Sequence, residues 1–593
     1  MSSVPPVSPM QAEASAGVIE HVQESKLQRW WAAWRRKSLS IPEGQFFLLL
    51  SVLIGLFSGL AVVLFRITID WVGLTLLGTG MQRKPLDTLL APSLIGIVVG
   101  FLVVRVFPRV RGSGVNQTKA AVYIFDGYVP FNTVVGKFVT CALAIGSGQS
   151  LGPEDPALQM GAGIASKLAR LLHLSQEKLR LIAPVGAAAG LAAAFNAPIS
   201  AVLFVIEEVI GNWSGGVLGA IVLAAVSSAV TMRWFLGSDA LFRVPPFEIH
   251  HPAELLAYAV LGVIGGGASL AFIKFIAAVR PRLMALPRWT HYLQPAAAGL
   301  LIGLIGLRLP EVMGAGYPVI DQALHGQFTW QLLFLLGVFK IVATGISFCS
   351  GAPGGMFAPT LFIGAMLGGA VGGLEHHFFH HLTGTTGTFA LVGMGTLFAG
   401  FLRVPITSLF MVVEVSGNYS AIIPVMVSSL IAYLISRSYQ RVALFDLLSR
   451  QDGIVLPSIE EQRERMTLRI EDAMRAPGDE AQKPGEVVMT AVQRAIAAGK
   501  PFFLVRENTS HWALLDANQF ERFAAFSADV LSAGEEAAKT TPVLYPDEPL
   551  DEALRLLQTW PLLPVVSRAD PVHLEGVVSL GDILRAYREA RPS

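Results

Sequence analysis

The sequence predicts an all-α polytopic membrane domain in which one broken-helix plan occurs twice, followed by a smaller C-terminal α/β domain. Three observations predict it: the apolar content, a repeat inside the apolar part, and an abrupt change of composition near residue 446. Of the 593 residues, 53% are hydrophobic and only 15% charged, with 58 glycines; the mean hydropathy is +0.55. Ordinary soluble domains do not reach such values. A formal net charge of +1, with no basic block, argues against nucleic acid as a partner.

Residues 1–44 are polar and lack the early apolar core of a secretory leader. Lys26, Arg29, Arg35, Arg36 and Lys37 precede the first span, so the positive-inside rule holds this segment in the cytoplasm. Residues 46–65, 255–279 and 330–348 are each long enough to cross a hydrocarbon core about 30 Å thick. The apolar stretches at 157–172, 181–209, 355–374 and 389–416 contain Gly and Pro, and short, tilted or interrupted helices packed against protein are expected there. Cys141 and Cys349 lie in apolar segments and suggest neither a disulfide framework nor a thiolate metal site.

Within the transmembrane domain, 45–445, the repeat runs over roughly 45–240 and 250–440. "SGQSLGPEDPALQMG" (147–161) aligns with "SGAPGGMFAPTLFIG" (350–364), pairing Pro156 with Pro359, Gly161 with Gly364 and Glu154 with Phe357. A second alignment pairs Pro198 with Pro405 and Glu207 with Glu414. Paired Gly/Pro-broken segments in two halves point to a binding site made from helix ends near the bilayer midplane. From 446 to 593 the chain is dense in charge and has no spanning run. Residues 540–590 follow a βαββα order, and 467–530 read as a degenerate copy.

The glycine-rich turns at 111–117, 151–159 and 354–359 leave main-chain N–H groups unpaired at helix N-termini. Such ends attract an anion without Lys or Arg. Few cations are expected among the apolar segments, so dipoles, N–H groups and the Ser113 hydroxyl would hold an anion weakly, as transport requires. Glu154 and Asp155 lie between Pro153 and Pro156. A carboxylate in this place occupies the anion site when charged and vacates it when protonated, which makes Glu154 a candidate gate. Glu207 and Glu208 are neighbours and face different sides of a helix, and Glu414 reads as structural.

These segments resemble the CLC family of chloride channels and chloride/proton exchangers. The resemblance rests on "GSGVN" (112–116), "GPEDP" (152–156), "GMFAP" (355–359) and "GAAAGLAAAFNAPISAVLFVIEE" (186–208). It implies an inverted-repeat fold in the lipid bilayer, a homodimer with one anion path per subunit, and chloride/proton antiport, with a passive chloride channel as the alternative. It further implies anion coordination by Ser113 and Gly114 and by the main-chain N–H groups of Met356 and Phe357. Glu154 becomes the gate and external proton acceptor, and Glu208 the internal proton-transfer group. Phe445 stands where the family has an anion-coordinating tyrosine. Asn116 replaces a proline, while Pro153 and Asp155 replace the basic residue and the glycine that flank the gating glutamate. The tail resembles a CBS pair, in which Ser579 and Asp582 of "GVVSLGD" would contact an adenine nucleotide. A bacterial inner membrane and two cytoplasmic termini follow; no enzymatic activity, cofactor or metal is expected.

Two other patterns stand in the sequence. "GQSLG" (148–152) fits a nucleophile elbow, which needs a preceding strand. "EHHFFHH" (375–381) spaces His376 with His380 and His377 with His381 for a metal, but fits a membrane-edge or loop cluster better.

Overall fold

The computed structural model describes residues 43–78, 84–172, 174, 176–211, 215–238, 241–242, 244, 254–378, 385–454, 468–482, 486, 488–506, 512–516, 539–568, 570 and 573–589. The N-terminal segment before residue 43, His380 and His381, and most of the degenerate tail copy lie outside them. The chain forms two compact units, Met1–Leu456 and Pro457–Ser593.

Among the described residues the first unit carries the same run of eight helices twice. The first run is α1 Glu43–Leu77, α2 Pro85–Phe101, α3 Val115–Tyr123, α4 Phe131–Gly146, α5 Glu154–Leu171, α6 Gln176–Phe195, α7 Pro198–Phe204 and α8 Gly215–Leu236. The second is α9 Glu254–Met284, α10 Gln294–Gly306, α11 Tyr317–Leu324, α12 Trp330–Cys349, α13 Phe357–Phe378, α14 Thr386–Leu402, α15 Pro405–Ser416 and α16 Ile422–Tyr439. Eight helices are long and apolar enough to cross a membrane among these residues. The local grammar repeats too. Pro198 and Pro405 open α7 and α15, where a missing N–H costs nothing. Asn196 (φ 54°) and Arg403 (φ 65°) take the left-handed conformation just after α6 and α14.

Two expectations are corrected. The glycines at 157–172 and 355–374 do not interrupt helices, since α5 and α13 run unbroken through them. They are contact points instead. A Cβ on Gly161 would lie 2.1 Å from the Gly186 carbonyl oxygen, and one on Gly364 would lie 2.3 Å from that of Gly393. Where lipid offers no hydrophobic drive between helices, small residues let backbones touch and gain dispersion. The unit boundary also falls after Leu456 rather than near 446. Helix α17, Leu444–Gln451, belongs to the helical unit because Leu444, Phe445 and Leu448 are buried in its core.

The second unit contains α18 Ile470–Ala473, α19 Val488–Ala497, β1 Phe502–Arg506, β2 Trp512–Asp516, β3 Lys539–Thr540, α20 Leu550–Leu556, β4 Leu563–Val566, β5 Leu574–Val578 and α21 Leu580–Glu589. Strands β1, β2 and β3 form one antiparallel sheet, and β4 and β5 a second. Leu544 bridges Val565 in parallel, so 540–590 has the expected βαββα order with an abbreviated first strand. Ile470, Leu544, Leu550, Leu563, Val565, Val578 and Ile583 close its core.

Candidate anion site

The site forms where the N-termini of α5 and α13 meet. Gly152 and Gly355 are repeat equivalents, and they exchange both main-chain bonds, at 2.8 and 2.7 Å. The bridge is antiparallel, as a two-fold axis between inverted repeats requires. It sets two helix ends, each with unpaired donors and partial positive charge, side by side.

Both carboxylates of the 152–156 stretch are fully buried there. Glu154 Oε2 accepts the Ala358 N–H at 3.3 Å, and its Oε1 meets the Tyr317 hydroxyl. Asp155 Oδ2 accepts the Met356 N–H at 3.1 Å. The Met356 N–H that the resemblance assigns to an anion is thus on a carboxylate of the chain itself. A side-chain anion already holds it, because residue 155 is an aspartate. Phe357 N–H faces the same Asp155 carboxylate.

The Ser113 loop closes the site from α3. Gly112 (φ 85°) and Gly114 (φ 115°) are left-handed, a conformation open to glycine and strained for other residues. A Cβ on Gly114 would lie 2.8 Å from Gln159 Oε1 and 3.1 Å from the Asp155 carbonyl, so the loop lies directly on the first turn of α5. Ser113 is buried and its Oγ accepts the Val115 N–H at 3.2 Å, a bond that leaves the hydroxyl hydrogen unused.

Buried cations are more numerous than the sequence reading allowed. Lys137 on α4 donates to the carbonyls of Gly112 at 2.5 Å and Ser113 at 3.2 Å. Its repeat equivalent, Lys340 on α12, donates to those of Val312 at 2.8 Å and Gly314 at 2.7 Å. Each lysine pins the glycine loop of its own repeat, and Tyr317, which reaches Glu154, follows the second loop. Neither lysine was singled out in the sequence; one signal was a lone cation at the same place in two aligned halves.

Toward α17 the site is lined by aromatic rings. Phe357 packs against Phe204 (4.9 Å between centroids), Phe398 (5.4 Å), Phe195 (6.1 Å) and Phe445 (6.3 Å). Phe445 brings a ring edge and no hydroxyl. Beyond lies Glu208, buried and paired at 2.9 Å with Lys119, which also holds Asp446 at 2.8 Å. Asn116 donates to Asp452 at 2.9 Å, and Arg280 reaches the same carboxylate at 2.6 Å. The residue that departs from the family's proline thus ties α3 to the end of α17. Glu207 faces the other way and caps α15.

In the tail, Ser579 donates through N–H (3.0 Å) and Oγ (2.6 Å) to Asp582, which also receives Arg475 at 3.2 Å and Arg585 at 3.1 Å. Ser150 pairs with Thr344 at 2.9 Å and follows helix α4, not a strand, so the hydrolase pattern lacks its setting.

Residues 95–437 match the family model described as voltage gated chloride channel, and residues 535–589 match the CBS domain. An H(+)/Cl(-) exchange transporter ClcA of Vibrio campbellii is 30% identical over 413 residues, covering 67% of this chain and 88% of that protein. A putative chloride channel protein ClcB-like of Ralstonia nicotianae is 33% identical over 350 residues, covering 58% and 81%. Among solved structures, a slow cyanobacterial Cl-/H+ antiporter superposes with a TM-score of 0.63 at 24% identity, covering 72% of this chain and all of that one. A eukaryotic CLC transporter gives 0.59 at 18%, covering 90% and 97%. At these identities the superpositions speak for the fold.

Proposed function

Since the chain belongs to the voltage-gated chloride channel family and carries a CBS domain at its C-terminal end, we propose that it exchanges chloride for protons across a membrane, with Glu154 as gate. The observation that carries this is the Glu154 carboxylate on the Ala358 N–H, at the N-terminus of α13. Charged, it occupies donors that a chloride ion needs. A proton from the outer side neutralises it, weakens its hold on the Ala358 N–H, and opens that donor to the anion. Ser113, Gly114, Met356 and Phe357 then line the ion's path. Phe445 closes the inner side by bulk alone. Glu208 is the inner proton donor and acceptor.

The names of relatives such as the Vibrio campbellii exchanger support antiport. The protein acts as a homodimer in a bacterial inner membrane, with both termini in the cytoplasm. An adenine nucleotide in the tail would meet Ser579 and Asp582 once Arg475 or Arg585 gives way.

One observation favours the passive chloride channel: the Glu208 carboxylate is engaged by Lys119, and a proton relay through it has to break that ion pair. Paired chloride and proton fluxes in proteoliposomes separate the readings. Exchange predicts that a proton gradient drives chloride uphill; chloride movement that only dissipates its own gradient establishes the channel.

A further inference from the structure

The gate has a second carboxylate. Asp155 stands one residue after Glu154, is fully buried, and is aimed at the same helix end as its neighbour but at different donors. Its Oδ2 takes the Met356 N–H at 3.1 Å, whereas Glu154 takes the Ala358 N–H at 3.3 Å. Asp155 Oδ1 is buried and makes no hydrogen bond. A carboxylate oxygen buried without a donor is costly, so the charged Asp155 is only partly satisfied at this helix end. Around it, Lys137 on α4 acts on its charge from the Ser113 side, Cys141 lies on the same helix, and Phe357 N–H faces it from α13. Glu154 is its like-charged neighbour; Arg66 of α1 and Tyr317 of α11 face Glu154.

We infer that Asp155 is a second anion competitor: its carboxylate occupies the Met356 donor and faces that of Phe357, so a halide can use the pair only after Asp155 takes a proton or swings away. This rests on the proposed reading of Glu154 as the outer gate and extends it inward by one donor pair. The two adjacent carboxylates then make the helix end a double lock. Neutralising Glu154 alone opens Ala358, and the deeper donors stay blocked. The proton that Asp155 takes up is bound at Oδ1 or Oδ2. The neutral acid no longer competes as an anion for the N–H groups, and Lys137 keeps the local balance of charge near the incoming halide.

The test uses the full-length protein with bromide as probe, in halide titrations by calorimetry from pH 5 to 8 and in chloride efflux from liposomes with proton movement recorded alongside over the same range. The proteins are wild type, E154Q, D155N, D155G and the double variant E154Q/D155N. E154Q is expected to keep a rise in bromide affinity of about tenfold between pH 8 and 5, and E154Q/D155N to lose it. D155N and D155G are expected to bind bromide several-fold more tightly than wild type at pH 8. Because E154Q leaves Asp155 untouched, its titration decides the matter even where the Asp155 variants fold poorly. Bromide affinity in E154Q that does not change with pH overturns the inference and leaves the Glu154 reading standing. Full proton coupling in E154Q, with coupling lost in D155N or D155G, overturns the Glu154 reading instead.

Discussion

Glu207 and Glu414, equivalent residues of the two repeats, each cap a helix of the opposite repeat. Glu207 accepts the N–H groups of Ile406 (3.3 Å) and Thr407 (2.9 Å) and the Thr407 hydroxyl (2.8 Å). Glu414 accepts those of Ile199 (3.0 Å) and Ser200 (2.6 Å) and the Ser200 hydroxyl (2.5 Å). The exchange satisfies the orphan donors of α7 and α15, whose first residues are prolines, and sets negative charge against both positive helix ends. It also fixes the direction of Glu208: with Glu207 turned outward to α15, its neighbour must face Lys119.

Loss of either cap is expected to cost about 1 to 2 kcal/mol, the scale of a helix N-cap. Glu207→Ala and Glu414→Ala should lower the detergent unfolding temperature by similar amounts. Unequal shifts, with one near zero, would contradict the symmetric exchange.

At the gate, Glu154→Gln copies the protonated side chain. Chloride flux is expected to persist and chloride-driven proton movement to vanish. The paired-flux assay reads both, and proton movement at the wild-type rate removes Glu154 from the outer role.

Glu208→Gln should stop proton movement and spare chloride passage. Lys119→Met leaves Glu208 buried without its partner and is expected to destabilise by roughly 3 to 5 kcal/mol. The double variant Lys119→Met/Glu208→Gln should recover part of that loss in thermal unfolding. No recovery means the pair is not the reason for the cost.

Phe445→Tyr adds one hydroxyl to the ring cluster around Phe357. If the hydroxyl points into the anion path, chloride affinity should rise several-fold in calorimetric titration. An unchanged affinity places the ring edge away from the ion.

In the tail, burial pushes the Glu480 carboxyl up, but the hydrogen bond and charge of Arg475, its own main-chain N–H and the Lys500 ammonium together outweigh burial and hold the group below the ordinary glutamate value of 4.5. A folded-state value below the unfolded one contributes stability above pH 4.5, and this is lost as pH falls through the folded value. Limited proteolysis of the full chain should therefore show the tail opening more readily on acidification below 4.5. Arg475→Ala should flatten that dependence.

The membrane class, the repeat and the two segments that meet at Gly152 and Gly355 were legible in the sequence because they are written in composition and in matched Pro and Gly positions. Helix continuity was not. Gly161 and Gly364 look like breaks in a linear reading, and only the partner backbones at Gly186 and Gly393 show that they are contacts. Lys119, Lys137 and Lys340 were passed over for a related reason, since each is a single cation in an apolar run whose acceptors lie far away in sequence. The place of α17 was not legible because Asp446 within it and Asp452 just after it bind inside the helical unit, while the composition around them already resembles the tail. Asp155 was noticed as a departure, but its separate donor became visible only with Met356 beside it.

The paired main-chain bonds between Gly152 and Gly355 clamp the leading ends of α5 and α13 into one rigid strap. Sliding one of these helices past the other would have to break both bonds. On the proposed reading, the swing of short acidic side chains about these joined ends, rather than their separation, then sets the pace of passage.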